Sequence, residues 1–308
     1  MGEAVAGADG AGRPAADGAD GLDHALAVYA EARPRLFGIA YRMLGSVTEA
    51  EDLLQEVWLR WQSYDRAAVA DPVAFLATTT TRLAINVLQS ARVRRESYVG
   101  PWLPEPVETA DDPYLGAERD EALGFAVLLL LERLSPTERA AYVLREAFDY
   151  PYPLIADIVQ VSVPGARQLV SRARRHVRAG RRAPVDTSEQ RRLLEAFVAA
   201  ARVGDLSGLE KILAEDVVSY ADGGGAVRAS RFPVVGAERV AKYVRAFADH
   251  FWAGADVRVA EVNGQPAAVL SRDGELSAVV ALGVSEGGVD QIHWLMNPAK
   301  IAPMAHRV

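Results

Sequence analysis

Three prolines stand among the seven residues 100–106, GPWLPEP, and no regular helix runs through them. Each proline lacks an amide hydrogen, fixes its own φ and pushes the residue before it toward extended backbone. The segments on its two sides must therefore be separate structural blocks. A plain spacer would carry serine, glycine and charge. This one carries Trp102 and Leu103, close behind a basic cluster, Arg92-Val-Arg94-Arg95.

The blocks on either side read as helical. Leu36, Ile39, Ala40, Met43 and Leu44 recur at helical spacing, and Gly45-Ser46 ends that run. Thr48-Glu49-Ala50-Glu51 has the spacing of a capping box and opens a second helix. On it Leu54, Trp58 and Trp61 share one face, with Asp52, Gln55 and Glu56 mostly on the other. Asp71-Pro72 starts a third helix that runs to about Arg95. Residues 97–117 form the linker. Helices resume near Glu118, and Ser135-Pro136-Thr137-Glu138 combines a cap, a proline at the first helical position and an acid at the third. Next come a short apolar helix over 154–160, a turn at Val161-Ser162 and a longer arginine-rich helix from about Pro164. That order is the helix-turn-helix pattern. Ala166, Leu169, Val170 and Ala173 make its buried stripe. Gly165, Arg167 and Gln168 are placed to meet base edges, while Ser171, Arg172, Arg174 and Arg175 continue the outer face, its arginines suited to phosphates.

A net charge of −7 looks wrong for a nucleic-acid binder, but its distribution decides the matter. Residues 162–182 hold seven arginines and no acid; residues 100–121 hold seven acids and one arginine. So one-sided a basic cluster favours a phosphate-facing surface over a merely solvated one. The chain has no cysteine, which excludes disulfides and thiolate metal sites and fits a reducing, cytoplasmic setting. No apolar run is long enough to cross a membrane. The Ala/Gly/Asp-rich start lacks a basic-then-apolar signal and reads as a disordered tail over 1–23.

From about residue 189 the pattern changes. Two helices, near 189–203 and 206–215, precede a strand at 217–220 and a turn at Asp222-Gly-Gly-Gly225. A helix over about 236–252 is followed by four strands, with turns at Asn263-Gly264, Asp273-Gly274 and Gly287-Gly288. Helices first and a meander last predict an α+β domain with a curved antiparallel sheet over 189–308.

Taken together these stretches resemble a known family. YRMLGSVTEAEDLLQEVWLRW is similar to region 2 of the extracytoplasmic-function sigma factors of bacterial RNA polymerase, and LSPTERAAYVLREAF with the helix-turn-helix is similar to their region 4. GPWLPEP, the Asp222-Gly-Gly-Gly225 turn and Asn297-Pro298-Ala299-Lys300 resemble the subfamily in which a SnoaL-like cone follows the two sigma regions. The resemblance implies a multidomain protein: an all-α region 2 over 24–96, an all-α region 4 over 118–183 and the cone. It implies binding of core RNA polymerase through Asp52, Gln55 and Glu56. It implies minus-ten reading and melting by the third helix, along which lie Arg82, Asn86, Gln89, Arg92, Arg94 and Arg95, because opening DNA requires capture of an unstacked base and a basic track for the single strand. The helix-turn-helix would read the minus-thirty-five element. Trp102 and Leu103 would bury against the cone or the sigma regions, and the resemblance implies an interdomain regulatory set of Trp102, Leu103, Pro104, Glu105, Pro106, Asp222, Gly223, Gly224, Gly225, Asn297, Pro298 and Lys300. The cone would then regulate activity in cis, the prolines lowering the entropy cost of holding the linker.

Four positions depart from the family pattern. Asn86 stands where Asp is usual, Gln89 where Arg is usual, Gln160 where the turn usually has Gly, and Ala299 where the terminal motif has Asp. A left-handed Gln160 would be strained, so a different turn is expected. Two other functions compete. A SnoaL-type enzyme would need an acid and a base, for which Asp222 and His293 are the candidates. Yet Asp before glycines ordinarily serves a turn, and no metal-ligand spacing, nucleophile motif or phosphate loop occurs, so no catalytic residue, metal or cofactor is expected. A ligand-responsive repressor would explain the helix-turn-helix but not residues 24–96. A small-molecule ligand in the C-terminal domain stays open.

Overall fold

The computed structural model describes residues 17–109, 125–180 and 185–305. The first block packs α1 (Asp17–Leu44), α2 (Val47–Ser63) and α3 (Pro72–Glu96). Residues 17–23, expected to lie in the tail, belong to α1, and residues 1–16 lie outside the described residues. The cap of α2 is Ser46, whose hydroxyl accepts from the Glu49 amide at 3.1 Å, so the start comes earlier than the expected Thr48 box. Leu54 and Trp61 are buried as the helical stripe requires, and Trp61 Nε1 donates to the Ala25 carbonyl.

The second block contains α4 (Phe125–Leu131), α5 (Pro136–Glu146), α6 (Tyr152–Val159) and α7 (Val163–Gly180). Ser135 and Glu138 form the reciprocal capping box that their spacing predicts. Ala166, Leu169, Val170 and Ala173 are buried, as the helical period requires. Between α6 and α7 the expectation of a different turn fails. Gln160 takes the left-handed conformation at φ 56°, ψ 51°, and its amide still closes the helix end. A side chain there costs about 1–2 kcal/mol relative to right-handed backbone, so the surrounding packing overrides the local preference. Gln160→Gly is expected to stabilise the protein by about 0.5–1 kcal/mol in urea unfolding, since glycine gives back part of that gain as chain entropy. No gain would mean that the Gln160 side chain makes a contact worth the strain.

The third block opens with α8 (Thr187–Val203) and α9 (Leu206–Ile212). Its sheet contains β1 (Leu213–Asp222), β2 (Val234–Val235), β3 (Asp256–Val262), β4 (Gln265–Arg272), β5 (Glu275–Ser285) and β6 (Gly288–Leu295), in the order β2-β1-β6-β5-β4-β3. Between β2 and β3 lie α10 (Ala237–Ala246) and α11 (Ala248–Phe251), where the sequence pattern predicts one helix. The sheet is antiparallel except that β1 runs parallel to β6, which makes it mixed. The helix expected to reach residue 215 ends at Ile212, because β1 begins at once. A last helix, α12 (Pro298–Ala305), has no counterpart in the sequence reading.

Both faces of this sheet are apolar. Val217, Ala221, Ala268, Val280, Ile292 and Trp294 meet α8 to α11 on one face. Ala267, Val269, Val279, Ala281 and Leu295 point the other way and bury Leu103, Phe125, Ile301 and Met304. Period-two alternation thus gives two separate cores. The second joins the sheet to the linker and to the second helical block.

Candidate functional site

Residues 98–109 of the linker do not span open solvent; they are clamped. Asp222, fully buried at the end of β1, accepts from the Leu103 amide at 2.9 Å, the Tyr98 hydroxyl at 2.5 Å and the Gly224 amide at 3.1 Å. Lys300, in the first turn of α12, completes the cluster. Its ammonium lies 2.7 Å from Asp222 Oδ2 and also donates to the Leu103 carbonyl. The same charge sits over two aromatic faces, 4.2 Å from the Trp102 ring centre and 4.7 Å from that of Tyr98. Asn297 caps α12 through the Ala299 amide and donates to the Tyr98 hydroxyl at 2.8 Å. A buried ion pair survives only where further hydrogen bonds satisfy both ions, and here the linker backbone supplies them. Burial and the Asp222 carboxylate raise the Tyr98 hydroxyl pKa, so it stays a donor.

Glycine is required at two of these contacts. Gly45 has φ +66° and a Cβ on it would come 2.8 Å from the Trp102 ring; Gly224 has φ +59° and a Cβ would come 2.2 Å from Asn297 Nδ2. Trp102 therefore touches the α1–α2 turn on one side and Lys300 on the other. Pro104, Glu105 and Pro106 are buried beside it. Pro298, exposed, opens α12, and Gly223 and Gly225 shape the turn after Asp222.

Glu105 reaches the opposite neighbour. One carboxylate oxygen accepts from the Ser46 hydroxyl at 2.7 Å; the other accepts from the Val47 and Thr48 amides at 2.7 and 3.2 Å. A carboxylate at the positive end of α2 is where the helix dipole favours it. Beyond it, Tyr41 donates to the Glu105 carbonyl and Asn263 donates to the Tyr41 hydroxyl. The linker then pairs with the free edge of β3: Asn263 and Val107 exchange bonds, Thr109 donates to Glu261, and Arg258 pairs with Glu108 at 2.8 Å. The acids at 111, 112, 118, 120 and 121 lie outside the described residues.

The two helical blocks also touch each other. Arg139 of α5 is buried and donates to the Met43 carbonyl at the end of α1. Arg35 donates to the Phe148 carbonyl at 3.0 Å and lies over the Phe148 and Tyr150 rings. Arg82 of α3 donates to the Asp157 and Ile158 carbonyls at 2.8 and 3.1 Å, at the end of α6. Asn86 and Gln89 follow Arg82 along one exposed helix face, whereas the side chains of Arg92, Arg94 and Arg95 lie outside the described residues.

On α7 the outer face is as expected: Arg167, Gln168, Ser171, Arg172 and Arg175 are exposed, with Gly165 and Arg174 half-buried. Two of these arginines already hold carboxylates. Arg172 pairs with Glu138 at 3.0 Å and Arg174 with Glu146 at 2.7 Å, while Arg167 lies over the Tyr152 ring. On α2, Asp52, Gln55 and Glu56 are exposed on one face. Leu59 continues that face at 63% exposure, an apolar member of the stripe that charge reading alone passes over.

Asp222 and His293 are not arranged for proton transfer in a cavity. Both project from the sheet face that the linker, Phe125 and α12 cover, and neither lines the open aromatic cavity of this block. Asp222 is committed to the clamp. His293 stacks on Tyr220 with no solvent access.

Comparison with known proteins agrees with this division. Residues 28–94 match the family model for sigma-70 region 2, and residues 124–177 match that for sigma-70 region 4. The chain is 35% identical to the ECF RNA polymerase sigma factor SigJ of Mycobacterium tuberculosis, over 89% of this chain and 93% of the relative. It is 32% identical to the probable ECF RNA polymerase sigma factor SigI of the same species, over 92% and 96%. The crystal structure of the M. tuberculosis extracytoplasmic function sigma factor SigJ superimposes with a TM-score of 0.71 at 32% identity, covering 88% of this chain and 95% of that one.

Proposed function

The chain belongs to the extracytoplasmic-function sigma factors and serves promoter-directed transcription initiation rather than catalysis, and from that premise we propose that its C-terminal domain holds the two sigma regions in a closed, regulated arrangement. Its working units are region 2 over 24–96, region 4 over 118–183 and the cone over 189–308, joined through the 97–117 linker. Asp52, Gln55 and Glu56 bind core polymerase. Arg82, Asn86, Gln89, Arg92, Arg94 and Arg95 serve the minus-ten element. Gly165, Arg167, Gln168, Ser171, Arg172, Arg174 and Arg175 serve the minus-thirty-five element. It acts in the cytoplasm; among the described residues no helix is long and apolar enough to cross a membrane.

One observation carries the closed state: Arg82, on the helix assigned to minus-ten DNA, spends its guanidinium on two carbonyls of the helix-turn-helix. Promoter elements centred about 25 base pairs apart lie roughly 85 Å apart at ~3.4 Å per step. Two regions in direct contact cannot reach both, so they separate on the promoter. The linker residues Trp102, Leu103, Pro104, Glu105 and Pro106, clamped by Asp222, Gly223, Gly224, Gly225, Asn297, Pro298 and Lys300, oppose that separation. Run-off transcription with core polymerase tests this. A chain ending at residue 184 is expected to give several-fold more transcript than the full chain. Equal yields sink the closed-state reading, and no transcript from either chain sinks the assignment of these surfaces. The same domain is proposed to answer to a small molecule.

A further inference from the structure

A cavity of about 600 Å3 opens between α10, α11 and the ends of β4 to β6. That volume is within the range of sites for drug-sized ligands. Its walls are aromatic. Phe251 meets Trp294 edge-on at 5.0 Å and Trp252 at 5.1 Å, and Tyr243 leans on Phe247 at 5.0 Å. Trp252 and Trp294 line the cavity although each is nearly buried. Beside the polar Tyr243 and Ser277, three basic side chains line it, Arg228, Arg272 and His250, and among the described lining residues there is no carboxylate. The Arg272 guanidinium faces the carbonyls of His250, Phe251 and Ala253 at 3.2–3.3 Å. Arg228, exposed on the loop after the Asp222 turn, lines the same cavity.

Two walls of this cavity are the elements that hold the linker. Pro298 and Ile301 of α12 line it, while Asn297 and Lys300 of the same helical turn grip Tyr98, Leu103 and Asp222. Ile301 belongs to the core that buries Leu103. Val227 and Arg228 form another part of the wall, and their loop packs on Val99 and Gly100 through Gly225, Ser230 and Arg231. A body filling the cavity contacts the inner side of both elements that clamp the linker on their outer side.

We propose that this cavity is an effector site for a flat aromatic compound carrying one anionic group, and that its occupancy is transmitted to the linker through α12 and the loop 223–231. The inference rests on the C-terminal domain being the regulator proposed above. The aromatic walls supply the affinity for a planar ring system. Arg228 supplies the preference for an anion, because a guanidinium pairs with carboxylate or sulfonate in its own plane. The coupling is mechanical: Ile301 and Lys300 are neighbours on one helical turn, so displacing one shifts the other. It is also reciprocal, since opening of the linker clamp alters the affinity of the cavity by the same factor.

The full chain is titrated with 1-anilinonaphthalene-8-sulfonate, a flat aromatic sulfonate. One saturable site is expected, with quenching of tryptophan fluorescence from Trp252 and Trp294. Arg228→Gln is expected to weaken that binding about tenfold and to leave binding of the uncharged analogue N-phenyl-1-naphthylamine unchanged. Ala246→Trp, placed on the exposed rim so that the core is untouched, and Ser277→Phe are each expected to abolish both. Absence of saturable binding, or binding indifferent to both filling variants, overturns the site. Amide hydrogen exchange with and without saturating probe reads the coupling. Residues 98–109 and 298–305 are expected to change their exchange rates at least threefold, with the helices of residues 24–63 unchanged. Binding without that change overturns the inference. Run-off transcription without any probe tests the sigma reading separately, so the two failures are told apart.

Discussion

Replacing Asp222 with alanine is expected to destabilise the C-terminal domain by about 3–5 kcal/mol, the cost of taking the carboxylate away from a buried ammonium. The Lys300 side chain is 9% exposed, and its ammonium is held by Asp222 at 2.7 Å. Removing the carboxylate also strands the Leu103 amide, which is buried, and takes an acceptor from the Tyr98 hydroxyl. The loss is a mispairing and not the worth of the pair, so a second change should recover much of it. Asp222→Ala with Lys300→Met leaves an apolar cluster against Trp102 and Tyr98, and is expected to be about 2 kcal/mol more stable than Asp222→Ala alone. Urea unfolding followed by tryptophan fluorescence measures both. A loss below about 1 kcal/mol for the single variant would mean that the clamp is not the tie inferred from its burial. The double variant separates stability from regulation. It restores the domain while leaving the Leu103 amide without its acceptor, so the release of the linker should persist in transcription assays.

Much of this site can be read from residue order, and the reason is local. Ser135, Pro136 and Glu138 specify a helix start within four residues, and the small and apolar residues of the helix-turn-helix mark its buried stripe at helical period. Asp222 and Asn297 also have local uses, a turn and a helix cap, so the residue order shows where they stand but not their further partners. What those motifs touch is not local. Glu105 accepts from the first amides of a helix that begins 58 residues before it, a partner no local spacing announces, although the Ser46 cap itself is local. The parallel β1–β6 pair depends on a crossover that no turn residue announces. Strands buried on both faces, such as β5, lose the alternation that would tell which face has a partner outside the domain. Arg82 shows the same limit from the other side. Its helix and exposed face follow from spacing, but its carbonyl partners belong to a helix 75 residues away.

His293 gives the fold a dependence on acid whose sign can be worked out. Its ring is fully buried between Tyr220 and Phe125, at 5.7 and 6.0 Å, on the sheet face that covers the linker. Neither ring nitrogen meets hydrogen-bond geometry, and the nearby Ala281 backbone offsets little of the burial, which pushes the imidazole down to about 4 from its ordinary 6.5. The folded protein therefore carries it neutral at pH values where the unfolded chain has already protonated it. Between pH 6.5 and 4 the unfolded state binds the extra proton, so stability falls as pH falls through that window and is flat above it. Complete titration removes about 3 kcal/mol at about 1.36 kcal/mol per unit. His293→Leu keeps the ring's neighbours packed against an apolar side chain and removes the titrating group. Urea unfolding of both proteins at about pH 7.5, 6, 5 and 4.5 is the measurement. Surface carboxylates give both the same background slope at the acid end, so the difference between the curves is the share of His293. The wild-type protein should lose about 2 kcal/mol more than His293→Leu by about pH 5. Parallel curves would mean that the imidazole finds a proton acceptor or water in the folded state and is not held neutral by burial.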